Sequence, residues 1–312
     1  MNNSPLTSRR DFLKKSALAG GALGAMSAIT LPSAASGAEA TKKRPIKKGI
    51  MWESVPGAMG VTEKFKLIAQ AGFDGVEVPS GQNQEEFLKG RDASGLTIAS
   101  VVDSVHWNKT LGDPDPAVRA AGLEGLKVSL RDCKAYGATS VLLVPAVVNE
   151  RIPYDQAYTR SQAEIKKAIG LAEDLGVKIA IENVWNQFNL SPLEAAAYID
   201  QLQSPAMSWH FDIGNVINIG WPEQWIRILG PRIHKLHIKE FSRKKRNEEG
   251  LWKGFEVEYL EGDNNWPEVM KALDEVGYKG WGTAEPAYSP KGVDAVTRLA
   301  QISQKLDTIF AL

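Results

Sequence analysis

Four side chains that can bind a metal ion stand at or near the ends of short, largely apolar runs in the second half of the sequence. They are Glu182, Asp212, His237 and Glu285. An ionised carboxylate in apolar surroundings is costly unless it is paired with, or bound to, a cation. Oxygen and imidazole ligands without sulfur suit Mn²⁺, Mg²⁺, Co²⁺ or Zn²⁺. We therefore predict a site for one divalent metal ion, with Mn²⁺ as the preferred ion.

The same residues could instead be ordinary strand-end residues. A lone Glu or Asp at the end of a strand is usually a helix N-cap or a surface residue, but four such groups on consecutive runs are hard to explain in that way. Two other histidines lie nearby. His210 stands two residues before Asp212 and should point the same way, either as a hydrogen-bond partner of a ligand or as a satisfied core histidine. His234 is expected to face the helices and to be structural.

Eight short apolar runs recur along the chain and predict eight β-strands. They span residues 48–52, 75–78, 96–102, 140–144, 177–182, 207–212, 233–238 and 280–285. Helical patterns lie between them, and those at 62–72, 162–176 and 266–277 each end in a glycine, as helices often do. Repeated strand–helix units predict an α/β fold, namely a single-domain (β/α)8 TIM barrel over residues 46–312. The alternative is a doubly wound open sheet, but no glycine-rich phosphate loop follows the first run.

Such a barrel would bring residues that are far apart in sequence to one place. Active-site residues of these barrels lie at the C-terminal ends of the strands, which is where the four ligand candidates fall on strands five to eight. Polar residues also mark the first three strands. Strand one ends at Glu53, strand two carries Glu77, and strand three is predicted to run on to His106.

The N-terminus has the features of an export signal. Ser8-Arg9-Arg10-Asp11-Phe12-Leu13-Lys14 precedes residues 16–31, which contain no charged side chain, and small residues follow up to Ala40. A positive region, an apolar region and a small-residue cleavage site in this order are typical of a secretory signal. The paired arginines indicate the twin-arginine type.

We therefore predict a twin-arginine signal at residues 1–40 and a linker at 41–45. Cleavage is expected after Ala35, Ala38 or Ala40. This places the protein in the periplasm or outside the cell, with no stable membrane association after cleavage. An uncleaved N-terminal anchor is the alternative, although the apolar stretch is short for a membrane span of about 20 residues.

Charge and cysteine content exclude several classes of protein. Of the 37 basic and 37 acidic residues, four and two fall within residues 1–40, so the rest of the chain has a net charge of −2. This balance gives no reason to expect a nucleic-acid partner. The single cysteine, Cys133, excludes an internal disulfide and cysteine-based zinc sites. Its helix-like surroundings predict a buried small residue and not a nucleophile.

Five short segments give the chain a resemblance to a known family. They are Ile181-Glu182-Asn183, Phe211-Asp212-Ile213-Gly214-Asn215, His237-Ile238-Lys239-Glu240, Glu261-Gly262-Asp263-Asn264-Asn265-Trp266 and Thr283-Ala284-Glu285-Pro286. With these segments in this order and at these spacings, the chain resembles the xylose-isomerase-like barrels over residues 46–312, specifically the sugar (phosphate) isomerase/epimerase branch. That branch includes tagatose 3-epimerases, hydroxypyruvate isomerases, and inosose isomerases and dehydratases.

The resemblance implies a metal-dependent isomerase or epimerase. It implies that the four ligand candidates bind the metal ion, and that Glu182 and Glu285 also act as the catalytic acid and base. A proton would be removed beside a carbonyl, and the sugar would be held as an enediolate. Two departures put ordinary ketose specificity in question. Asn215 stands where many ketose epimerases have a histidine, and residues 187–189 replace an epimerase-type glutamate.

Residues around the predicted mouth would bind a small sugar or sugar derivative. Indole rings stack on the apolar faces of sugars, a histidine can bind a hydroxyl, and a cationic side chain can neutralise an oxyanion or bind a phosphate. The predicted substrate contacts are Trp52, Glu77, His106, Trp107, Trp185, Asn215, Lys239 and Arg243. Alternatively, the tryptophans only cover the rim of the barrel, and the charged residues 243–246 form a solvated loop without a ligand.

Three other functions remain for comparison. A barrel endonuclease for abasic DNA needs more histidines than the four in this chain. A lyase acting on 3-keto-glycosides or inosose-like substrates would use the same metal and the same proton abstraction, but would expel a leaving group from the neighbouring carbon. A non-catalytic carbohydrate-binding barrel would not need both acid/base carboxylates. The sequence leaves the oligomeric state open, a homo-oligomer included.

Overall fold

The structure is a computed structural model that describes residues 44–312. The predicted signal at residues 1–40 and all but the last two residues of the predicted linker lie outside the described residues. Within residues 44–312, no helix is both long and apolar enough to cross a lipid bilayer.

Eight parallel strands form a closed ring in which each strand pairs with its neighbours in sequence and the last pairs with the first. The strands are β1 (Ile46–Met51), β2 (Gly75–Pro79), β3 (Thr97–Val102), β4 (Ser140–Leu143), β5 (Lys178–Glu182), β6 (Met207–Asp212), β7 (Ile233–Ile238) and β8 (Gly280–Ala284). The predicted (β/α)8 TIM barrel is therefore confirmed. Because β3 and β7 are four places apart in a ring of eight, the loops that follow them begin on opposite sides of the mouth.

The third strand is shorter than predicted. It ends at Val102, and His106 lies in the turn that follows. Asp103 ends the strand, since its carboxylate accepts a hydrogen bond from the Val105 amide at 3.1 Å and its carbonyl accepts one from the His106 amide at 3.3 Å. An aspartate that bonds to the backbone two residues ahead favours a turn. The prediction that strand three runs on to His106 was wrong.

Helices surround the ring. Their bounds are α1 (Val61–Gln70), α2 (Gln84–Ser94), α3 (Pro116–Tyr136), α4 (Tyr154–Leu175), α5 (Pro192–Asp200), α6 (Ile213–Ile217), α7 (Pro222–Leu229), α8 (Arg243–Glu249), α9 (Trp266–Glu275) and α10 (Ala295–Ala311). Helix α4 ends as predicted before Gly176, whose φ of 67° is the left-handed conformation that favours glycine. It begins earlier than predicted, because Pro153 precedes its first turn and accepts a hydrogen bond from the Ala157 amide at 2.9 Å.

The core lies between the ring and the helices. Ile68 of α1, Leu126 of α3 and Ile165 of α4 are fully buried, and each such side chain contributes about 1.5–3 kcal/mol to stability. Cys133 is also buried in this layer, and burial raises the pKa of its thiol to about 12. It is the buried small residue that the sequence predicts.

A register irregularity between β6 and β7 changes the direction of one predicted side chain. The pairing moves from Trp209 opposite Ile233 to His210 opposite Lys235, which leaves His234 as an extra residue. The His234 Nε2 atom lies 3.2 Å from Thr139 Oγ1, and Lys235 Nζ donates to the same oxygen at 2.8 Å. Because Thr139 precedes β4, which is not a neighbour of β7, His234 reaches across the N-terminal end of the ring. The prediction that it faces the helices was wrong.

Candidate metal centre and active-site cavity

The structure brings the four predicted metal ligands together at the C-terminal mouth of the barrel. Glu182 and Asp212 are the last residues of β5 and β6, and Glu285 directly follows β8. His237 is paired with Asp212 in the register of β6 and β7. One ligand atom from each of the four lies within 4.8 Å of the others.

The charges and contacts of this cluster fit a divalent cation. His237 Nδ1 lies 2.9 Å from Glu182 Oε1 and 2.9 Å from Glu285 Oε2. Within residues 44–312, neither Asp212 Oδ2 nor Glu285 Oε2 has a well-directed hydrogen-bond partner. Burial raises the pKa of Asp212 to about 7, an effect that Lys239 opposes and that Glu285 and Glu182 reinforce. Two of the three crowded carboxylates therefore have an oxygen atom that lacks a hydrogen bond and lies within the cluster, as a cation site requires.

Glu77 is placed beneath this cluster and not in the cavity. It is fully buried, and its two oxygen atoms lie 2.7 Å from His237 Nε2 and 2.5 Å from the Ser100 hydroxyl. Although burial alone would raise the pKa of Glu77, His237 and His210 lower it to about 2, so Glu77 is ionised. A metal-binding histidine commonly donates its other N–H to a carboxylate, which fixes its tautomer and orientation. The sequence prediction that Glu77 contacts the substrate was wrong, because its carboxylate orients His237 instead.

We expect Glu77→Gln to weaken metal binding by about 10- to 100-fold, the usual cost of losing such a carboxylate partner. The amide keeps the size of the side chain but not the charge that holds the His237 Nε2 proton. Isothermal titration calorimetry of metal into the metal-free protein measures the change in affinity. Ser100→Ala is the matched control because it removes the other hydrogen bond to Glu77 and leaves the carboxylate. Equal affinity in wild type and Glu77→Gln would contradict this role.

Lys239 lies inside the cluster. Its Nζ atom is 3.0 Å from Asp212 Oδ2 and 2.8 Å from Glu285 Oε2. Burial disfavours its charge, but Asp212 and Glu285 outweigh that effect and raise the pKa of Lys239 above its usual value. Burial alone would raise the pKa of Glu285, but Lys239 and His237 lower it. Lys239, a predicted substrate contact, therefore faces the cavity, and its positive charge also balances the carboxylates of Asp212 and Glu285.

Removing this ammonium group should strengthen metal binding. We expect Lys239→Met to bind Mn²⁺ roughly tenfold more tightly or better, because a positive charge no longer repels the ion or holds two of its ligands. The metal-free variant should melt at a lower temperature than metal-free wild type, since its carboxylates lose their counter-charge. Lys239→Arg keeps the charge and is the control. Weaker or unchanged Mn²⁺ affinity in Lys239→Met would show that Lys239 does not oppose the ion.

Hydrogen bonds around Asn183 hold Asp212 in position. The Asn183 amide group donates to the Asp212 carbonyl at 2.7 Å, and its oxygen accepts from the Asp212 amide at 3.0 Å. Asn215 donates its backbone N–H to Asp212 Oδ1 at 2.8 Å and its side-chain amide to the Asn183 carbonyl at 3.0 Å. Asp212 thus caps α6 with one oxygen and presents the other to the cluster. Asn215 borders the cavity, but its amide is already engaged in this support.

His210 packs behind the cluster. It is fully buried with its ring centroid 4.2 Å from that of His237, and neither ring nitrogen has a hydrogen-bond partner in the part of the chain that the structure describes. Burial, reinforced by His237, lowers its pKa well below the usual value. Of the two roles considered from the sequence, neither a hydrogen bond to a ligand nor a satisfied core histidine matches this environment. The neutral ring instead supports the position of His237 by contact.

A cavity of about 770 Å³ opens above the cluster. Five predicted substrate contacts line it: His106, Trp107, Trp185, Asn215 and Lys239. Burial lowers the pKa of His106 to about 4, so its ring is neutral at neutral pH, and Nδ1 accepts a hydrogen bond from the Val144 amide at 3.2 Å. Its other nitrogen remains available for a hydroxyl group.

Two other predicted contacts lie away from the cavity lining. Trp52 packs between Phe65 and Phe87, with ring centroids 5.2 and 4.9 Å away, and Lys64 lies over its ring at 4.3 Å. Arg243 donates from Nε to the Ile217 carbonyl and from Nη2 to that of Gly220, both at 3.0 Å. The structure therefore places neither Trp52 nor Arg243 in the cavity lining, and their contact with a substrate stays a prediction. In this structure Trp52 packs in an aromatic cluster and Arg243 holds a loop. Residue type alone does not distinguish these roles from binding of a sugar or a phosphate.

Sequence reasoning missed several residues of the cavity wall. Glu53, Asp103, Trp252, Phe255 and Glu256 line it. From the sequence, Glu53 was identified as a polar residue at the end of strand one but was not assigned a role. Trp252 and Phe255 gave no usable signal, because they follow a run of charged residues that is typical of a solvated loop. Only the fold shows that this loop, which includes α8, turns back over the mouth.

Comparisons with known proteins agree with this architecture. A sequence profile described as xylose isomerase-like TIM barrel matches residues 65–308. The L-ribulose-5-phosphate 3-epimerase UlaE of Salmonella paratyphi A is 23% identical over 253 residues, which cover 76% of this chain and 86% of the relative. A crystal structure of D-psicose 3-epimerase in the presence of D-fructose has a TM-score of 0.70 at 18% identity and covers 84% of this chain and 98% of that chain. A crystal structure of the 3-keto-D-glucoside 4-epimerase YcjR from E. coli has a TM-score of 0.71 at 17% identity. It covers 84% of this chain and 99% of that chain.

Proposed function

The chain belongs to the xylose isomerase-like TIM barrel family, and from this premise we propose that it is a metal-dependent sugar isomerase or epimerase. The observation that carries the proposal is the cluster of three carboxylates and one imidazole, whose ligand atoms lie within 4.8 Å of one another at the floor of the cavity. The epimerases among its relatives and structural neighbours support the same class.

The proposed reaction moves one proton beside a carbonyl group. A divalent ion bound by the cluster would polarise the carbonyl and stabilise the negative charge of the enediolate. Glu182 and Glu285 both border the cavity and follow strands three places apart in the ring. They can therefore approach a bound sugar from different sides, one as the base that removes the proton and the other as the acid that returns one.

The charge of the cavity favours an unphosphorylated sugar. Its lining includes five carboxylate residues: Glu53, Asp103, Glu182, Glu256 and Glu285. Lys239 faces them as a cationic lining residue, but its ammonium group is already paired with Asp212 and Glu285. The lining therefore offers a phosphate dianion no cationic side chain that is not already paired with a carboxylate. We therefore propose a neutral sugar or sugar derivative as substrate, although one relative is named for a phosphorylated pentulose.

Solvent deuterium exchange tests the proposal. Protein reconstituted with Mn²⁺ is incubated in D2O with free ketoses, inososes, 3-keto-glycosides and their phosphates, and the products are followed by NMR. Deuterium at a carbon beside the carbonyl of a neutral sugar is the expected result. Exchange confined to phosphorylated sugars would overturn the proposed substrate, and binding without any exchange would point to a carbohydrate-binding barrel.

A lyase acting on 3-keto-glycosides is the second candidate function. The amide of Asn215, at the position where many ketose epimerases have a histidine, is bound to the Asn183 carbonyl, and one structural neighbour is named for a 3-keto-glucoside. In the same NMR experiment, a lyase would release the aglycone, whereas an isomerase or epimerase would not.

We further propose that the enzyme works in the periplasm or outside the cell, where neutral sugars are the expected substrates. The twin-arginine pattern of residues 1–40 supports this location. Fractionation of the native host that finds the protein in the cytoplasm would overturn it.

A further inference from the structure

We propose that the outer part of the cavity is a second binding subsite, formed by Trp107 and Trp252, for the group attached to the reacting sugar. The substrate class is then a glycoside whose attached group presents a flat apolar face, such as an aryl group or a second sugar ring. This inference rests on the proposed function, because it places the reacting sugar at the carboxylate cluster.

The two indole rings come from loops that follow opposite strands of the ring. Trp107 lies in the loop after β3, and Trp252 lies in the loop after β7. These strands are diametrically opposite in the ring, and both tryptophans line the same cavity. Trp107 is 51% exposed and Trp252 is 66% exposed. Two large apolar faces are thus left in water at one opening, as in sites that bind a partner group.

The Trp252 indole is held in place by other aromatic rings. Its ring centroid lies 4.9 Å from that of Trp185, and Phe255 lies 4.7 Å from Trp185 on the same wall. Trp185 is fixed in turn because its Nε1 donates to the Asn215 carbonyl at 2.9 Å. The support continues down to the cluster, since Lys239 Nζ lies 5.4 Å from the Phe255 ring centroid. One aromatic wall therefore runs from the floor of the cavity to its rim.

The cavity has room for more than one sugar ring. Its volume of about 770 Å³ lies in the upper part of the roughly 300–1,000 Å³ range of pockets that hold drug-sized ligands. A monosaccharide bound at the carboxylates would occupy the lower part and leave the rim tryptophans uncovered. A glycoside places its first ring at the carboxylates and its attached group at the indoles, where stacking adds affinity.

The test compares matched substrates. A 3-keto-sugar is prepared as its methyl glycoside and as its phenyl glycoside, in both anomeric forms, and kcat/KM for deuterium exchange is measured with the Mn²⁺-loaded protein. We expect wild type to prefer the phenyl over the methyl glycoside by about tenfold or more, the discrimination that one well-stacked ring provides. This preference should fall to near unity in Trp252→Ala and should decrease in Trp107→Ala.

Trp221→Ala is the matched control. Trp221 is 56% exposed and also stands at the surface, but it does not line the cavity, so its loss should leave the phenyl-to-methyl ratio unchanged. If Trp252→Ala is unstable, Trp252→Leu takes its place. Leucine keeps an apolar side chain without an aromatic face, so the phenyl-to-methyl ratio should again fall to near unity. Equal rates for the two glycosides in wild type would overturn the inference while leaving the proposed function intact.

A binding measurement separates the inference from the reaction. Saturation-transfer NMR with an unreactive phenyl glucoside should show contact of the phenyl ring with wild type and loss of that contact in Trp252→Ala. If no sugar exchanges deuterium but this contact is observed, the proposed function fails and the subsite stands. If Trp252→Ala changes only the oligomeric state in sedimentation and not phenyl binding, the rim tryptophans are a contact between subunits and the inference is wrong.

Discussion

Glu182→Gln and Glu285→Gln should each lower turnover by about 10²-fold or more, the scale of a lost acid or base. The amide keeps an oxygen atom that can bind the metal ion and nearly the same volume, but it cannot accept or release the transferred proton. Both carboxylates border the cavity and lie 2.9 Å from His237 Nδ1. Turnover is measured with each variant saturated with Mn²⁺, so that weaker metal binding does not enter the comparison.

Glu256→Gln is the control for this experiment. Glu256 lines the same cavity but pairs with Lys253 at 2.6 Å and lies outside the ligand cluster. The same chemical change should therefore alter turnover by no more than about twofold, within the range of surface substitutions. The assignment of Glu182 and Glu285 as acid and base would be abandoned if both glutamine variants kept near-normal rates with metal bound.

Asp212→Ala should remove the metal ion altogether. Wild-type protein is expected to carry about one divalent ion per chain, and the variant close to none, by elemental analysis after dialysis. Asp212 is fully buried, and its Oδ2 atom is directed at the other ligands, so its loss removes a charged ligand that no neighbour can replace. The added Mn²⁺ that raises the melting temperature of wild type should have no such effect on the variant.

Two further variants identify the cause of this loss. Asp212 also caps α6 through Oδ1, and loss of a cap costs about 1 kcal/mol by itself. Asp212→Asn keeps an oxygen for the cap while removing the ligand charge, so it should lose the ion with a smaller loss of stability. Asp103→Asn changes another buried carboxylate of the same cavity and should keep the ion. Equal metal content in wild type and Asp212→Ala would exclude this site.

The sequence allowed the barrel and the ligand cluster to be predicted for one physical reason. Carboxylates such as Glu182 and Asp212 interrupt apolar runs where a buried strand ends, and a ring of parallel strands gathers all such ends at one mouth. Neither inference needs to know how neighbouring strands are aligned. The set of candidate ligands therefore follows from chain order and residue type alone.

The errors concern residues whose neighbours depend on strand register and loop path. The pairing of β2 with β3 shifts after Val76 and sets Glu77 opposite Ser100, whose hydroxyl binds the carboxylate that also contacts His237. Trp52 and Trp252 are both tryptophans near strand ends, but one packs against α1 and α2 and the other lies exposed at the mouth. No local pattern distinguishes them, because burial depends on which helix or loop folds back over each residue.

The pairing of the first strand with the last has a consequence for how the protein is synthesised. Five residue pairs join β1 to β8, from Ile46 opposite Gly280 to Ile50 opposite Ala284. Contacts between such distant segments make folding slow, and a nascent chain cannot form them until its final segment has left the ribosome. Until then β1 and β7 remain open sheet edges, which are sites of aggregation. A chain truncated before Gly280 should therefore accumulate as insoluble protein and not as a smaller folded domain.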